Sequence, residues 1–162
     1  MQKHFVNFKN FVHIKKNRNL EIKLKKKLDT CVQEKLIKSF SQKYKYSYEN
    51  INFKKYNNFK NINLIGMGGS ALGAKAIYNF FNPKIKKKFT FVDNINLKKN
   101  YNQNLKSLNL VISKSGNTLE TISNFKSLKN KKNNLFICEN SNNQIRNLAK
   151  KLKSDIIDHR NY

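Results

Sequence analysis

The chain reads as an α/β protein built on a parallel, doubly wound sheet, and three observations lead there. From residue 61 onward, short apolar runs alternate with stretches of helical period, the pattern of successive βαβ units. All five glycines fall in two short segments, 66–73 and 116. Each segment occupies the turn from a strand-like run into a helix-like run, and in open α/β sheets ligands bind beyond the carboxyl ends of the strands. At 162 residues the chain is long enough to bury a single core.

The elements follow in order. Residues from about 20 to 42 carry Leu20, Leu24, Leu28, Val32 and Leu36, with Ile37 and Phe40 beside them; that spacing predicts an amphipathic helix with a lysine-rich outer face. The stretch Lys43 to Lys60 lacks a clear period and is taken as a connecting segment. Its aromatics (Tyr44, Tyr46, Tyr48, Phe53, Phe59) are expected to pack under lysine stems. A strand is predicted at Ile62–Ile65, then a helix from about Ser70 to Phe81 with Leu72, Ala76, Ile77 and Phe80 inward and Pro83 just past its end. Strands at Phe89–Val92 and Leu108–Ile112 precede a helix from about Asn117 to Lys129, whose stripe is Leu119, Ile122, Phe125 and Leu128. A strand at Leu135–Cys138, a helix from about Asn142 to Leu152 using Ile145, Leu148 and Leu152, and a strand at Ile156–Ile157 complete the pattern.

Composition excludes several classes. There is no run of about 18 apolar residues that could form a spanning helix, and Met1-Gln2-Lys3-His4-Phe5 opens no stretch of signal-peptide length. Cys31 and Cys138 are too few and too separated for a disulfide framework or a zinc site, so a cytoplasmic setting without metal is expected. The 34 basic and 9 acidic residues give a formal charge of +25, which by itself suggests a nucleic-acid binder. The basic residues are nearly all Lys and spread along the whole length, with Arg only at positions 18, 146 and 160, although Arg is the better reader of bases and phosphates. The chain is also rich in Asn, Ile, Phe and Tyr, the set that A+T-rich codons favour. The charge is therefore read as compositional, with no specific nucleic-acid partner and no membrane partner.

The two glycine segments carry the chemistry. The first, Gly66-Met67-Gly68-Gly69-Ser70-Ala71, satisfies G-x-G-x-x-A after a strand, and Asp93 at the end of the next strand stands where a ribose-binding acid would. Alone, that allows a dinucleotide fold, or a tight turn that simply needs glycine. The second, Ser113-Lys114-Ser115-Gly116-Asn117-Thr118, groups three hydroxyls around one glycine at another strand end. Hydroxyls and backbone donors at a helix start suit the terminal oxygens of a phosphate monoester, and a dinucleotide fold needs no second cradle. A capping box of Asn117 with Glu120 accounts for those two residues but not for Ser113, Ser115 and Thr118 together.

Residues 66–73 (Gly-Met-Gly-Gly-Ser-Ala-Leu-Gly) followed by 113–121 (Ser-Lys-Ser-Gly-Asn-Thr-Leu-Glu-Thr) resemble the first sugar isomerase (SIS) domain of the phosphoglucose isomerase family, over residues from about 40 to the C-terminus. The resemblance implies a five-stranded parallel sheet of flavodoxin-like winding, with a helical lead-in over 1–45 and the SIS domain over 46–162. It implies interconversion of glucose 6-phosphate and fructose 6-phosphate without metal or organic cofactor. Carried over by position, Ser113, Ser115 and Thr118 would bind the sugar phosphate, with Lys114 beside it through its backbone N–H. Gly69 and Ser70 would border the sugar, and Glu120 and Thr121 would support the site from the helix. The full-length enzyme would be a homodimer.

The departure lies at the end. After a segment like Asp158-His159-Arg160-Asn161-Tyr162, family members continue into a Gly-Gly-Arg motif and a second SIS domain, which carry the transition-state Arg, the Glu base, the ring-opening His and a late Lys. The chain is accordingly expected to be a truncated N-terminal portion without the second SIS domain or catalytic residues of its own. Glu120 and Asp93 are the acids near the loops, His159 sits at an end expected to fray, and His4 and His13 read as surface residues. Two other readings stay open: a stand-alone SIS domain that senses a sugar phosphate, and a dinucleotide-binding oxidoreductase fragment.

Overall fold

A computed structural model describes residues 17–31, 44–95, 106–129 and 131–159. The chain divides into two compact units at the Tyr44–Lys45 junction. In the first, α1 (Arg18–Cys31) begins where the Asn17 side chain accepts from the N–H groups of Asn19 and Leu20 at 3.1 and 3.3 Å. Leu20, Leu24 and Leu28 are exposed along it. The expected continuation through Val32, Leu36, Ile37 and Phe40 lies outside the described residues.

The second unit is the α/β fold. Strands β1 (Asn61–Ile65), β2 (Lys88–Val92), β3 (Ser107–Ile112), β4 (Asn134–Glu139) and β5 (Asp155–His159) form one sheet in the order β2-β1-β3-β4-β5. Every pairing is parallel. That order is the flavodoxin-like winding, whose switch point falls between β1 and β3. Three helices, α2 (Gly69–Phe81), α3 (Leu119–Ser127) and α4 (Gln144–Lys151), follow β1, β3 and β4. His159, expected in a frayed end, is the last residue of β5 and registers with Glu139.

Strand alternation sends successive side chains to opposite faces, which gives the sheet two apolar layers. Ile65, Val92, Val111, Phe136 and Cys138 meet Ile122 and Phe125 of α3, Leu128 just beyond it, and Ile145 and Ala149 of α4. On the other face Ile62, Leu108, Leu135 and Ile157 meet Ile51, Tyr56 and Phe59 of the connecting segment. That segment is tied down by the Tyr56 hydroxyl, which donates to Asp155 at 2.7 Å, and by Lys87, which donates to the carbonyls of Asn57 and Phe59 at 2.8 and 2.7 Å. Three buried asparagines join the strands: Asn63 donates to Asn109, and Asn109 to Asn134, each at 3.0 Å.

Two helix faces differ from the sequence expectation. On α2, Leu72, Ile77 and Phe80 are 60, 62 and 79% exposed, and Ala76 is exposed with them. The face toward the sheet carries Ala71, which is fully buried, and Tyr78, whose ring lies 5.0 and 5.8 Å from those of Phe89 and Phe91. The helix leaves a tight glycine turn that aims it at the sheet, so the turn decides which face is buried, and the more apolar stripe points away. On α3, Ile122, Phe125 and Leu128 are buried as expected, but Leu119 is 73% exposed because the helix starts there rather than at Asn117.

Candidate functional site

The two glycine turns stand side by side across the switch point. Gly66, just after β1, passes so close to the end of β3 that a Cβ there would lie 2.9 Å from the Ile112 carbonyl oxygen and 3.3 Å from the Ser70 Cβ. Only glycine allows that approach. Gly68 then adopts φ +53° and ψ −129°, a conformation reserved for glycine. Its carbonyl accepts from Ala71 and Leu72 at 3.0 Å to open α2. A Cβ on Gly69 would meet open space, so Gly69 leaves room above the turn instead of relieving a clash. Gly69 is exposed and Ser70 half-buried.

The second turn is organised from within. Ser113 is buried, and its hydroxyl accepts from the Gly116 N–H at 3.1 Å and lies 3.0 Å from the Thr118 hydroxyl. Gly116 is left-handed at φ +69°. Ser115 is exposed, and its hydroxyl accepts from the Asn117 N–H at 3.3 Å. Lys114 is exposed, Thr118 and Glu120 are half-buried, and Thr121 is buried, with no hydrogen-bond partner for its hydroxyl among the described residues. The structure thus brings Ser113, Ser115 and Thr118 into one turn, with Ser113 engaged inside it. Gly69 and Ser70 belong to the neighbouring turn.

The capping box does not form. The N-cap of α3 is Thr118, and the Asn117 side chain instead accepts from the Gln144 N–H at 3.0 Å, 27 residues away. Neither α2 nor α3 has a side-chain hydrogen bond at its N-cap. By contrast α4 is capped by Asn143, which accepts from the Arg146 N–H. First-turn N–H groups left without a partner at the positive end of a helix dipole are anion-binding donors; at α2 those of Ser70 and Ala71 are already taken by the Met67 and Gly68 carbonyls. Of the two acids near the loops, Asp93 is held by the Lys75 ammonium at 3.0 Å, which gives this former ribose-acid candidate a structural role.

Sequence reasoning missed the residues that brace the turn from β4 and its following loop. Glu139 N–H donates to the Lys114 carbonyl at 3.0 Å, and Ile145 N–H to that of Gly116 at 2.9 Å. Arg146 reaches Asp158 at 2.7 Å and the Glu139 carbonyl at 3.3 Å; the carboxylate's hydrogen bond raises the guanidinium pKa further. Cys138 is a fully buried core residue, and that burial pushes its thiol above its ordinary value. Asn143, directly ahead of an apolar-periodic stretch, carried an N-cap signal, whereas the contacts across strands left none.

A doubly wound sheet with two glycine turns at the switch point, each opening a helix, defines a SIS-type α/β domain. The phosphoglucose isomerase family model matches residues 15–152, and the chain belongs to that family. It is 41% identical over 83 residues to a glucose-6-phosphate isomerase of Methanocaldococcus jannaschii, covering 48% of this chain and 20% of that protein. It is 37% identical over 110 residues to one of Borrelia garinii subsp. bavariensis, covering 60% of this chain and 20% of that protein. The matched part therefore spans about a fifth of the length of these relatives. A crystal structure of a hypothetical protein from Thermus thermophilus shares the fold, with a TM-score of 0.62 and 21% identity over 88% of this chain and 39% of that one. No helix among the described residues is long and apolar enough to cross a membrane.

Proposed function

We propose that this chain supplies the sugar-phosphate-binding part of a glucose-6-phosphate isomerase, the enzyme that interconverts glucose 6-phosphate and fructose 6-phosphate. One observation carries the reading: two helix starts without side-chain caps stand side by side at the switch point, one of them with Ser115 and Thr118 in its turn. In this reading the α3 turn holds the phosphate through Ser115, Thr118 and backbone N–H groups including that of Lys114, while Ser113 shapes the turn from below. Gly69 and Ser70 border the sugar, and Glu120 and Thr121 support the helix start. Residues 1–45 form a helical lead-in and 46–162 the SIS domain of a cytoplasmic, homodimeric enzyme that needs no cofactor.

The chemical step asks for more than binding. Moving a proton between two carbons through an enediol needs a free carboxylate base and a cation for the enediolate. Asp93 is paired with Lys75, and Glu120, on the first turn of α3, is assigned the supporting role above, so the reading gives this chain binding without a catalytic base. Calorimetry tests it: glucose 6-phosphate should bind more tightly than glucose, with inorganic phosphate as the control for attraction to a +25 chain. Replacing Ser115 and Thr118 together by Ala should weaken binding by roughly 2–4 kcal/mol, from about 1.5–3 kcal/mol per charge-assisted hydrogen bond and incomplete additivity. Equal affinity for glucose and its phosphate would sink the reading.

A further inference from the structure

We propose that Asn143 is a positioning residue for the anion-binding turn, acting on Gly116 from the loop between β4 and α4; the inference rests on the sugar-phosphate reading above. Gly116 is the softest point of that turn, because glycine has the widest backbone freedom, and the Ser115 and Thr118 donors flank it. What holds it is the neighbouring loop. Asn143 is 3% exposed, and a Cβ on Gly116 would lie 2.1 Å from both the Cγ and the Oδ1 of Asn143. The amide therefore packs against Gly116 in the space that a side chain there would fill.

The amide is itself fully committed. Its Oδ1 accepts from the Arg146 N–H at 2.8 Å. Its Nδ2 is within donating distance of the carbonyls of Glu139 and Ser141 at 3.1 and 3.2 Å and of the Ser141 hydroxyl at 3.2 Å. Around it the elements that flank the loop reach three residues of the turn: Glu139 N–H at the end of β4 donates to Lys114, and at the start of α4 Ile145 N–H donates to Gly116 and Gln144 N–H to the Asn117 side chain. Helix capping accounts for the Oδ1 bond alone, and a serine would serve for that. The Nδ2 contacts and the packing on Gly116 have no capping role. They hold the turn in its binding shape before the ligand arrives, which removes an ordering cost from association.

The test uses the 162-residue chain with Asn143→Ser, which keeps a capping oxygen and removes the amide from Gly116, and Asn143→Ala, which removes the cap as well. Three quantities are read: the urea unfolding midpoint, calorimetric affinity for glucose 6-phosphate and for glucose, and hydrogen exchange at the Gly116 amide, assignable among five glycines. Asn143→Ser should lose less midpoint than Asn143→Ala, accelerate Gly116 exchange without ligand by more than its midpoint loss accounts for, and lose roughly fivefold to tenfold in glucose 6-phosphate affinity, about one hydrogen bond's worth. A pure cap would show differently: both variants would shift at most the midpoint, leaving affinity and Gly116 exchange at parent values, and that result overturns the proposal. If the parent chain fails to prefer glucose 6-phosphate over glucose, the functional reading fails. Gly116 exchange then still decides whether Asn143 orders the turn.

Discussion

Gly116 combines two constraints that most glycines meet singly. Its φ of +69° disfavours a side chain, and the space a Cβ would need is taken by Asn143. Gly116→Ala should therefore cost roughly 2–5 kcal/mol in urea unfolding, from about 1–2 kcal/mol of left-handed strain and about 1–3 kcal/mol of overpacking. Gly69→Ala, with open space around it, should stay within about 0.5 kcal/mol of the parent. The importance of Gly116 was legible in the sequence, but the reason was not, since the residue against it lies in another loop. A second pair of residues contributes to the dependence of stability on pH. The ammonium of Lys55, helped by the Tyr56 hydroxyl, holds the Asp155 carboxyl below its ordinary 3.8 against the opposing effect of burial. A depressed folded value stabilises above the unfolded one, so this contribution is present above about pH 4 and lost as pH falls through the folded value. For Tyr56, burial and then the bond to Asp155 raise the phenol above its ordinary 10.0, so its contribution is complete below pH 10 and lost at higher pH. Asp155→Asn should flatten the acid limb of stability against pH, and Tyr56→Phe the alkaline limb, both read from urea midpoints across pH.

The helices show which kind of information a sequence withholds at the scale of an element. The sheet-facing residues of α3 and α4 were legible because Ile122, Phe125 and Ile145 are apolar, correctly spaced and buried. On α2 the apolar stripe and the buried stripe are different faces, and only the geometry of the glycine turn chooses between them. Ile77→Ser and Phe80→Ser should consequently change stability by less than about 0.5 kcal/mol. Phe125→Ala, which empties a site packed edge-on against Phe136 at 5.2 Å between ring centroids, should cost about 3–5 kcal/mol. Thermal or urea unfolding of the three variants checks the ranking, and a large loss at Ile77 or Phe80 would contradict the exposed face. The start of α3 was misread for a related reason: Asn117 has the composition of a cap, yet its partner is 27 residues away.

For the whole molecule, the parallel sheet was legible because strand runs and helical periods alternate over most of the sequence from residue 61, with the runs at Phe89–Val92 and Leu108–Ile112 following one another directly; its winding came from the family resemblance. The charge of +25 carries no fold information, and it sets a separate expectation for binding. Association with duplex DNA should be weak, indifferent to sequence and largely gone near about 0.15 M salt. A salt-resistant preference for one sequence would show that the lysines form a selected surface. In a coupled assay the 162-residue chain should bind glucose 6-phosphate without isomerase turnover above background. Turnover that Glu120→Gln abolishes and a surface control does not would place the base on α3.

The asparagine chain across β1, β3 and β4 guards against an error that the apolar pattern cannot detect. Sliding one strand by two residues preserves inside and outside, so hydrophobic burial barely distinguishes the slipped sheet from the native one. Asn63, however, would then face Ser107 or Val111 in place of Asn109, and the Asn63–Asn109 amide pairing would be broken in the interior at about 1–3 kcal/mol per stranded group. Asparagines that pass for a by-product of codon bias thus act as a proofreading mark, penalising a two-residue slip that the apolar pattern tolerates.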